Sequence, residues 1–204
     1  MPNPTINLIE RRVSANRFDP HHTLTNAEIE NLVRLATRAP TAYNLQNWRF
    51  IAVRKPGAKA RLRKLAFDQA KVSDAAVTFI ICGERPDDTS LPGRLRPFVE
   101  AGHMPEAMAL KWQDAARAQY ADPQAARDEA IRSATLGAAT LIYVAEALGL
   151  ATGPMVGFDA DGVVREFGLA PGETPVMLLA VGRAASGNWP QKPRRPLSEV
   201  LQLS

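Results

Sequence analysis

Between Ile131 and Ala145 the chain carries apolar or small side chains on nearly every face of the helix that it predicts. A helix that is apolar all round has no side to offer water, so other elements must surround it. Ala134, Gly137, Ala138 and Ala139 are small enough to let a neighbouring helix approach closely. That neighbour is either another part of this chain or a second copy. Asp122-Pro123 separates this helix (about Pro123 to Leu148) from an earlier one (about Pro105 to Tyr120), because a residue before proline avoids the helical region. A chain of 204 residues can enclose such a helix in one domain, or form two small ones.

The remaining elements are read from local signals. Thr5 to Val13 predicts a short amphipathic helix with Ile6 and Ile9 on one side. Thr25 and Glu28 form a capping box before the apolar positions Ile29, Leu32, Val33, Leu35 and Ala36. Pro40 ends that helix at about Arg38. A polar loop follows, with Thr41, Asn44, Gln46 and Asn47 able to bond their own backbone or a ligand. A strand then starts at Trp48. Pro56 to Phe67 predicts a basic helix, Ala75 to Cys82 a buried strand, and Pro175 to Gly182 another. Glu84 to Gly102 reads as loop because of Pro86, Pro92, Gly93 and Pro97. Asp161 is expected to cap a short helix reaching Phe167.

Composition removes several classes of function. Net charge is only +4, from 25 Lys and Arg against 21 Asp and Glu, too small an excess to indicate nucleic-acid binding. Arg11-Arg12 and Arg194-Arg195 stand at the two ends of the chain, where they either form two solvated patches or grip one small anion if the ends meet. Cys82 is the sole cysteine, so the chain forms no internal disulfide, and its apolar setting suits a core residue better than a nucleophile. His21 and His22 have no third ligand at metal spacing, so no metal site is expected. The start, Met1-Pro2-Asn3-Pro4, lacks an apolar targeting segment and no apolar run is long enough to span a membrane; the expected location is the cytoplasm. Walker, nucleophile-elbow and dinucleotide fingerprints are absent.

Four motifs, in order, resemble those of the flavin-dependent nitroreductase family. Ala39-Pro40-Thr41-Ala42-x-Asn44-x-Gln46-x-Trp48 is similar to the family's A-P-S-x-x-N-x-Q-P-W, with Thr41 in place of Ser and Asn47 in place of Pro. Gly149-Leu150-x-Thr152-x-Pro154-Met155-x-Gly157-Phe158-Asp159 resembles G-L-x-[ST]-x-P-[IM]-x-G-F-D, in a form nearest the branch that includes malonic-semialdehyde reductases. Arg12, Ser14, Asn16 and Phe18 fill the slots of R-x-S-x-[RK]-x-F, and Lys192-x-Arg194-Arg195-Pro196 those of a basic tail motif. A weaker likeness covers Asp68 to Ala75, around Lys71.

The resemblance implies an α+β fold with a mostly antiparallel sheet flanked by helices, one domain over residues 1–204, and a homodimer built on a long central helix. It implies FMN as cofactor and NADH or NADPH as transient reductant. Hydride passes through flavin N5, in ping-pong order, to an electron-poor molecule such as a nitroaromatic, quinone or enal. A small semialdehyde as acceptor, or a flavin protein without turnover, are the alternatives. Carried over by position, Arg12, Lys192 and Arg194 hold the flavin phosphate, while Ser14 and Asn16 hold the ribityl or pyrimidine. Lys71, with Gln69 or Asp68, faces the pyrimidine edge. Pro40, Thr41, Ala42 and Asn44 form a binding loop. Pro154, Met155, Val156 and Gly157 run past the ring, a backbone amide at or next to Val156 meeting N5. No obligatory side-chain acid is implied. Arg11 is expected to face solvent. A helical excursion at about residues 98–120 is the expected lid, where Trp112 and Tyr120 either stack on substrate or pack.

Overall fold

The computed structural model describes residues 3–204; Met1 and Pro2, part of the start read above, lie outside the described residues. Four strands form one antiparallel sheet, in the order β1 (Trp48–Val53), β2 (Val77–Glu84), β4 (Glu173–Gly182), β3 (Ala151–Met155). β2 is central, and all its residues but Glu84 are buried. Its run of Val, Phe, Ile and Cys, interrupted only by Thr78, whose hydroxyl donates to the Val72 carbonyl, is what a strand covered on both faces requires. Because side chains alternate along a strand, Ile80, Cys82, Leu178 and Ala180 line one face, and Phe79, Ile81, Leu179 and Val181 the other.

Helices cover both faces. The first face packs with residues of α3 (Pro56–Leu65), α4 (Lys71–Asp74) and α8 (Ala160–Phe167), including Leu62, Val72 and Val163. The second packs with α2 (Asn26–Ala36) and α7 (Pro123–Ala147) through Leu32, Ala36, Ala134, Ala138 and Leu141. α1 is Pro4–Arg11, and none of its residues is buried. The Thr25–Glu28 capping box forms in full at the start of α2. Asp122 caps α7, accepting from the Ala125 amide at 2.9 Å.

Two expectations are corrected. The Glu84–Gly102 stretch is not all loop: α5 spans Leu91–Glu100 and is followed by α6 (Glu106–Gln119). Pro92 sits in the first turn, where its missing N–H costs nothing, and Leu91 and Leu95, one turn apart, are buried. Their burial holds the helix despite Pro97 within it. Asp161 does not cap α8 either: Asp159 does, accepting from the Gly162 amide at 2.9 Å.

α7 also departs from the all-round burial read from its composition. Ala130, Ala134, Gly137, Ala138, Leu141 and Ala145 are buried, at the three- and four-residue steps of one face. Leu136 and Tyr143, 40% and 41% exposed, lie on the opposite side with nothing of this chain over them. On the buried side the approach to the sheet is very close. A Cβ on Gly83 of β2 would lie 2.3 Å from the Ala130 carbonyl oxygen, so only glycine fits there.

Candidate active site

The loop after α2 turns sharply. Tyr43, Asn44 and Gln46 all adopt left-handed backbone angles (φ 52°, 59° and 48°). The Gln46 amide donates to Thr41 Oγ1 at 3.0 Å and closes the turn. Asn47, 2% exposed, ties the loop to β2: its Nδ2 donates to the Glu84 carbonyl, and the Glu84 amide donates to the Asn47 carbonyl, both at 3.0 Å. A side-chain donor thus has a structural task at the one position where the loop departs from the usual Pro. Leu45 is buried against α5 and α6, and its carbonyl accepts from the Arg94 guanidinium. Tyr43 donates to Gln119 Oε1 at 2.8 Å and meets Trp112 edge-on, with ring centres 5.9 Å apart. Tyr120, 6% exposed, also packs on Tyr43, which makes it a packing residue.

A second group of predicted residues meets at the opposite edge of the sheet. Past α1, Ser14 bridges to Thr152 and the Ala15 amide donates to the Thr152 carbonyl at 2.8 Å, so this segment runs along β3. Arg12 reaches Ser14 Oγ at 3.4 Å. Lys71, at the start of α4, donates to Asn16 Oδ1 at 3.2 Å. Gly153 makes this possible: a Cβ there would lie 2.5 Å from the Ala15 carbonyl oxygen and 3.4 Å from Lys71 Cδ. Lys71 is half-buried, and burial, with the like charge of Lys192, pushes its ammonium below the usual range. The tail thereby brings Lys192 to the same place. Lys192 also lies over the Trp189 ring, 5.7 Å from its centre.

The junction was not visible in the sequence. Asn188 Oδ1 accepts from the Asn16 and Arg17 amides at 2.7 and 3.0 Å, and its Nδ2 donates to the Arg17 and Ala185 carbonyls. One side chain therefore clamps the start of the tail to the 14–18 segment. A buried-looking pattern could not have signalled it, because Asn188 stands in an ordinary turn-forming Gly187-Asn188 pair. Arg194 bonds Gln191 Oε1 and the Lys192 carbonyl, within the tail, rather than reaching Arg12.

Beyond Met155 the chain leaves the sheet. Val156 is 78% exposed, and a Cβ on Gly157 would meet nothing within 4 Å. The Gly157 carbonyl accepts from Gln69 Nε2 at 2.9 Å, while Asp68 pairs outward with Arg63 at 2.7 Å. Gln69 is therefore the polar residue beside the 154–157 segment.

Arg11 pairs with Glu146 at 3.2 Å and Arg195 with Glu199 at 3.0 Å. Among the described residues, Arg12, Lys71, Lys192 and Arg194 have no carboxylate partner. Uncompensated cations beside amide and hydroxyl groups, along an open backbone segment, make a receptor for an anionic, polar-chained molecule. Its donors suit a phosphate and a polyol, and the backbone at Gly157 is open to approach. The Pro40–Asn47 loop makes its contacts elsewhere, with α5, α6 and β2. Beside it opens a cavity of about 530 Å³, lined by Asn44, Arg94, Leu95, Phe98, Met104 and Trp112, among others.

Comparison with known proteins gives the arrangement its relatives. A putative NAD(P)H nitroreductase of Bacillus subtilis is 28% identical over 196 residues, 96% of each chain. An NADH dehydrogenase of Thermus thermophilus is 32% identical over 198 residues, covering 97% of this chain and 93% of its own. The crystal structure of a putative nitroreductase in complex with FMN from Exiguobacterium sibiricum superposes with a TM-score of 0.90 at 26% identity, over 100% of this chain and 99% of that one. The nitroreductase family itself matches residues 9–183, a span that holds the two specific motifs, Lys71 and the Arg12 segment, and on these grounds the chain belongs to the nitroreductase family.

Proposed function

We propose that this chain is an FMN-dependent NAD(P)H oxidoreductase that reduces electron-poor small molecules such as nitroaromatics, quinones or enals, and that it acts as a homodimer. The observation that carries the reading is the meeting of Arg12 with Ser14, Lys71 with Asn16, and Gln69 with the Gly157 carbonyl along one edge of the sheet, where Val156 is exposed. FMN fits this donor set, and the chemistry it supplies when bound is hydride transfer through N5. Arg12, Lys192 and Arg194 hold the phosphate, and Ser14 and Asn16 the ribityl chain. Lys71 and Gln69 orient the pyrimidine edge. Burial makes the Lys71 charge costly, and an anionic partner offsets that cost. Pro154, Met155, Val156 and Gly157 present backbone to the ring, leaving its other face free.

Pro40, Thr41, Ala42 and Asn44 complete the site from the second subunit, since their loop faces away from the cations of its own chain. The uncovered apolar residues support such a partner: Leu136 and Tyr143 on α7, Ile6 and Ile9 on α1, and Leu197, Val200 and Leu203 in the tail. Among the described residues no helix is long and apolar enough to cross a membrane.

The test is the visible spectrum of purified protein before and after anaerobic NADH or NADPH. Flavin bands that bleach with one of them are expected. A yellow protein that neither reductant bleaches is a flavin carrier without turnover, and a protein that cannot be loaded with FMN removes the reading altogether.

A further inference from the structure

Resting on that reading, we propose that the cavity between the Asn44 loop and helices α5 and α6 is the acceptor pocket, and that Arg94 makes it selective for flat apolar molecules bearing a carboxylate. Its volume of about 530 Å³ lies in the range that encloses small organic ligands. Leu95, Phe98, Met104 and Trp112 give it an apolar wall, and Asn44 and Arg94 are its polar groups. Trp112 is held edge-on against Tyr43, so the aromatic wall is fixed rather than loose.

Arg94 is half-buried, and its guanidinium donates to the Leu45 carbonyl. That bond uses one of five N–H donors and fixes the guanidinium in place. Glu84 borders a neighbouring smaller cavity together with Arg94 and feels its charge, but among the described residues the two form no direct ion pair, so the Arg94 donors are not taken up by a carboxylate. A guanidinium presenting unpaired donors at the edge of an apolar pocket is matched in shape and charge by a carboxylate, which accepts two parallel hydrogen bonds. Asn44 Oδ1 is occupied by Gln46 Nε2 at 3.2 Å, which leaves its amide N–H groups for a second ligand oxygen. A neutral molecule of the same shape fills the apolar wall but cannot accept the paired, charge-assisted bonds from the guanidinium. Because Asn44 belongs to the loop assigned to the cofactor site, a molecule held here lies next to the redox centre.

The proposal is tested by calorimetric titration of oxidised, FMN-loaded protein, without nicotinamide, with 4-nitrobenzoate and with neutral 4-nitrobenzamide. The acid is expected to bind at least about tenfold more tightly than the amide, the increment of a charge-assisted hydrogen bond. In Arg94→Gln that ratio should fall towards one. Arg94→Lys, which keeps the charge but not the fork, should fall between and serves if the Gln variant does not fold. Trp112→Ala should weaken both ligands together and leave the ratio unchanged. Equal affinities for acid and amide in the unaltered protein, or an acid preference that survives both Arg94 variants, overturns the proposal. Failure of NAD(P)H to bleach the flavin would count against the redox reading alone, since the titration reads binding without turnover.

Discussion

Arg11 and Arg12 are adjacent in sequence and opposite in role. Arg11 is neutralised by Glu146, whereas Arg12 turns to Ser14 with no acidic partner among the described residues. Arg12→Ala should therefore weaken FMN binding by about 1.5–3 kcal/mol, roughly 10- to 100-fold in Kd by fluorescence titration, while Arg11→Ala leaves it unchanged. An R12A protein that binds FMN as tightly as the parent would take Arg12 out of the phosphate site. Cys82 makes a second residue-scale case. Burial raises its thiol from 9.0 to about 12, so the unfolded chain loses this proton first as pH rises. The associated stability is complete below about pH 9 and declines between 9 and 12, with a slope of up to about 1.4 kcal/mol per pH unit. Denaturant titrations across that range should show the decline, and Cys82→Ala should flatten it. Lys71, Ser14 and Asn16 were picked out by the likeness to the family's motifs, and the structure brings Lys71 and Asn16 together. The choice between Asp68 and Gln69 was not legible in the sequence, because both have left only local clues and the outcome depends on which side chain reaches the Gly157 carbonyl. Asn188 was illegible for a related reason: its partners are backbone groups about 170 residues away.

Among the elements, β2 and α7 are joined at a point where a methyl group does not fit. Gly83→Ala would place Cβ 2.3 Å from the Ala130 carbonyl oxygen, and backbone cannot yield as a side-chain tip can. It should cost about 1–3 kcal/mol in chemical denaturation, in the range of overpacked cores; a loss near zero would mean that the two elements slide apart freely. Strands and capped helices were readable because their signals are local: the apolar run in β4, the Thr25–Glu28 box, and Asp122-Pro123. α5 was not, because Pro92, Gly93 and Pro97 suggest a loop and only tertiary burial of Leu91 and Leu95 outweighs them. The cap of α8 was misassigned by two residues for a similar reason. Asp159 and Asp161 are equally good caps in isolation, and the Asp159 amide's bond to the Leu65 carbonyl, 2.8 Å, fixes where the helix begins.

The whole molecule leaves an apolar stripe on α7 and much of its tail uncovered. Placing a charge in that stripe, as in Leu136→Asp, should leave a single chain folded but prevent pairing. Light scattering should then give 22.2 kDa in place of twice that mass, with FMN lost in parallel. A variant that stays paired would take this stripe out of the interface, and a monomer that keeps its flavin would separate the cofactor site from the second subunit. Composition made the apolar helix obvious, but not which side a neighbour covers, since that depends on packing across the sheet. The pair α5 and α6 has a different relation to the rest. Its buried residues, with Leu45, Tyr120 and Ala126, form an apolar cluster of their own, apart from the two that sandwich the sheet. Such a module can be rebuilt or exchanged while the strands underneath keep their shape. New appetites for electron acceptors can then arise from changes in two short helices, with the machinery that holds reducing power inherited intact.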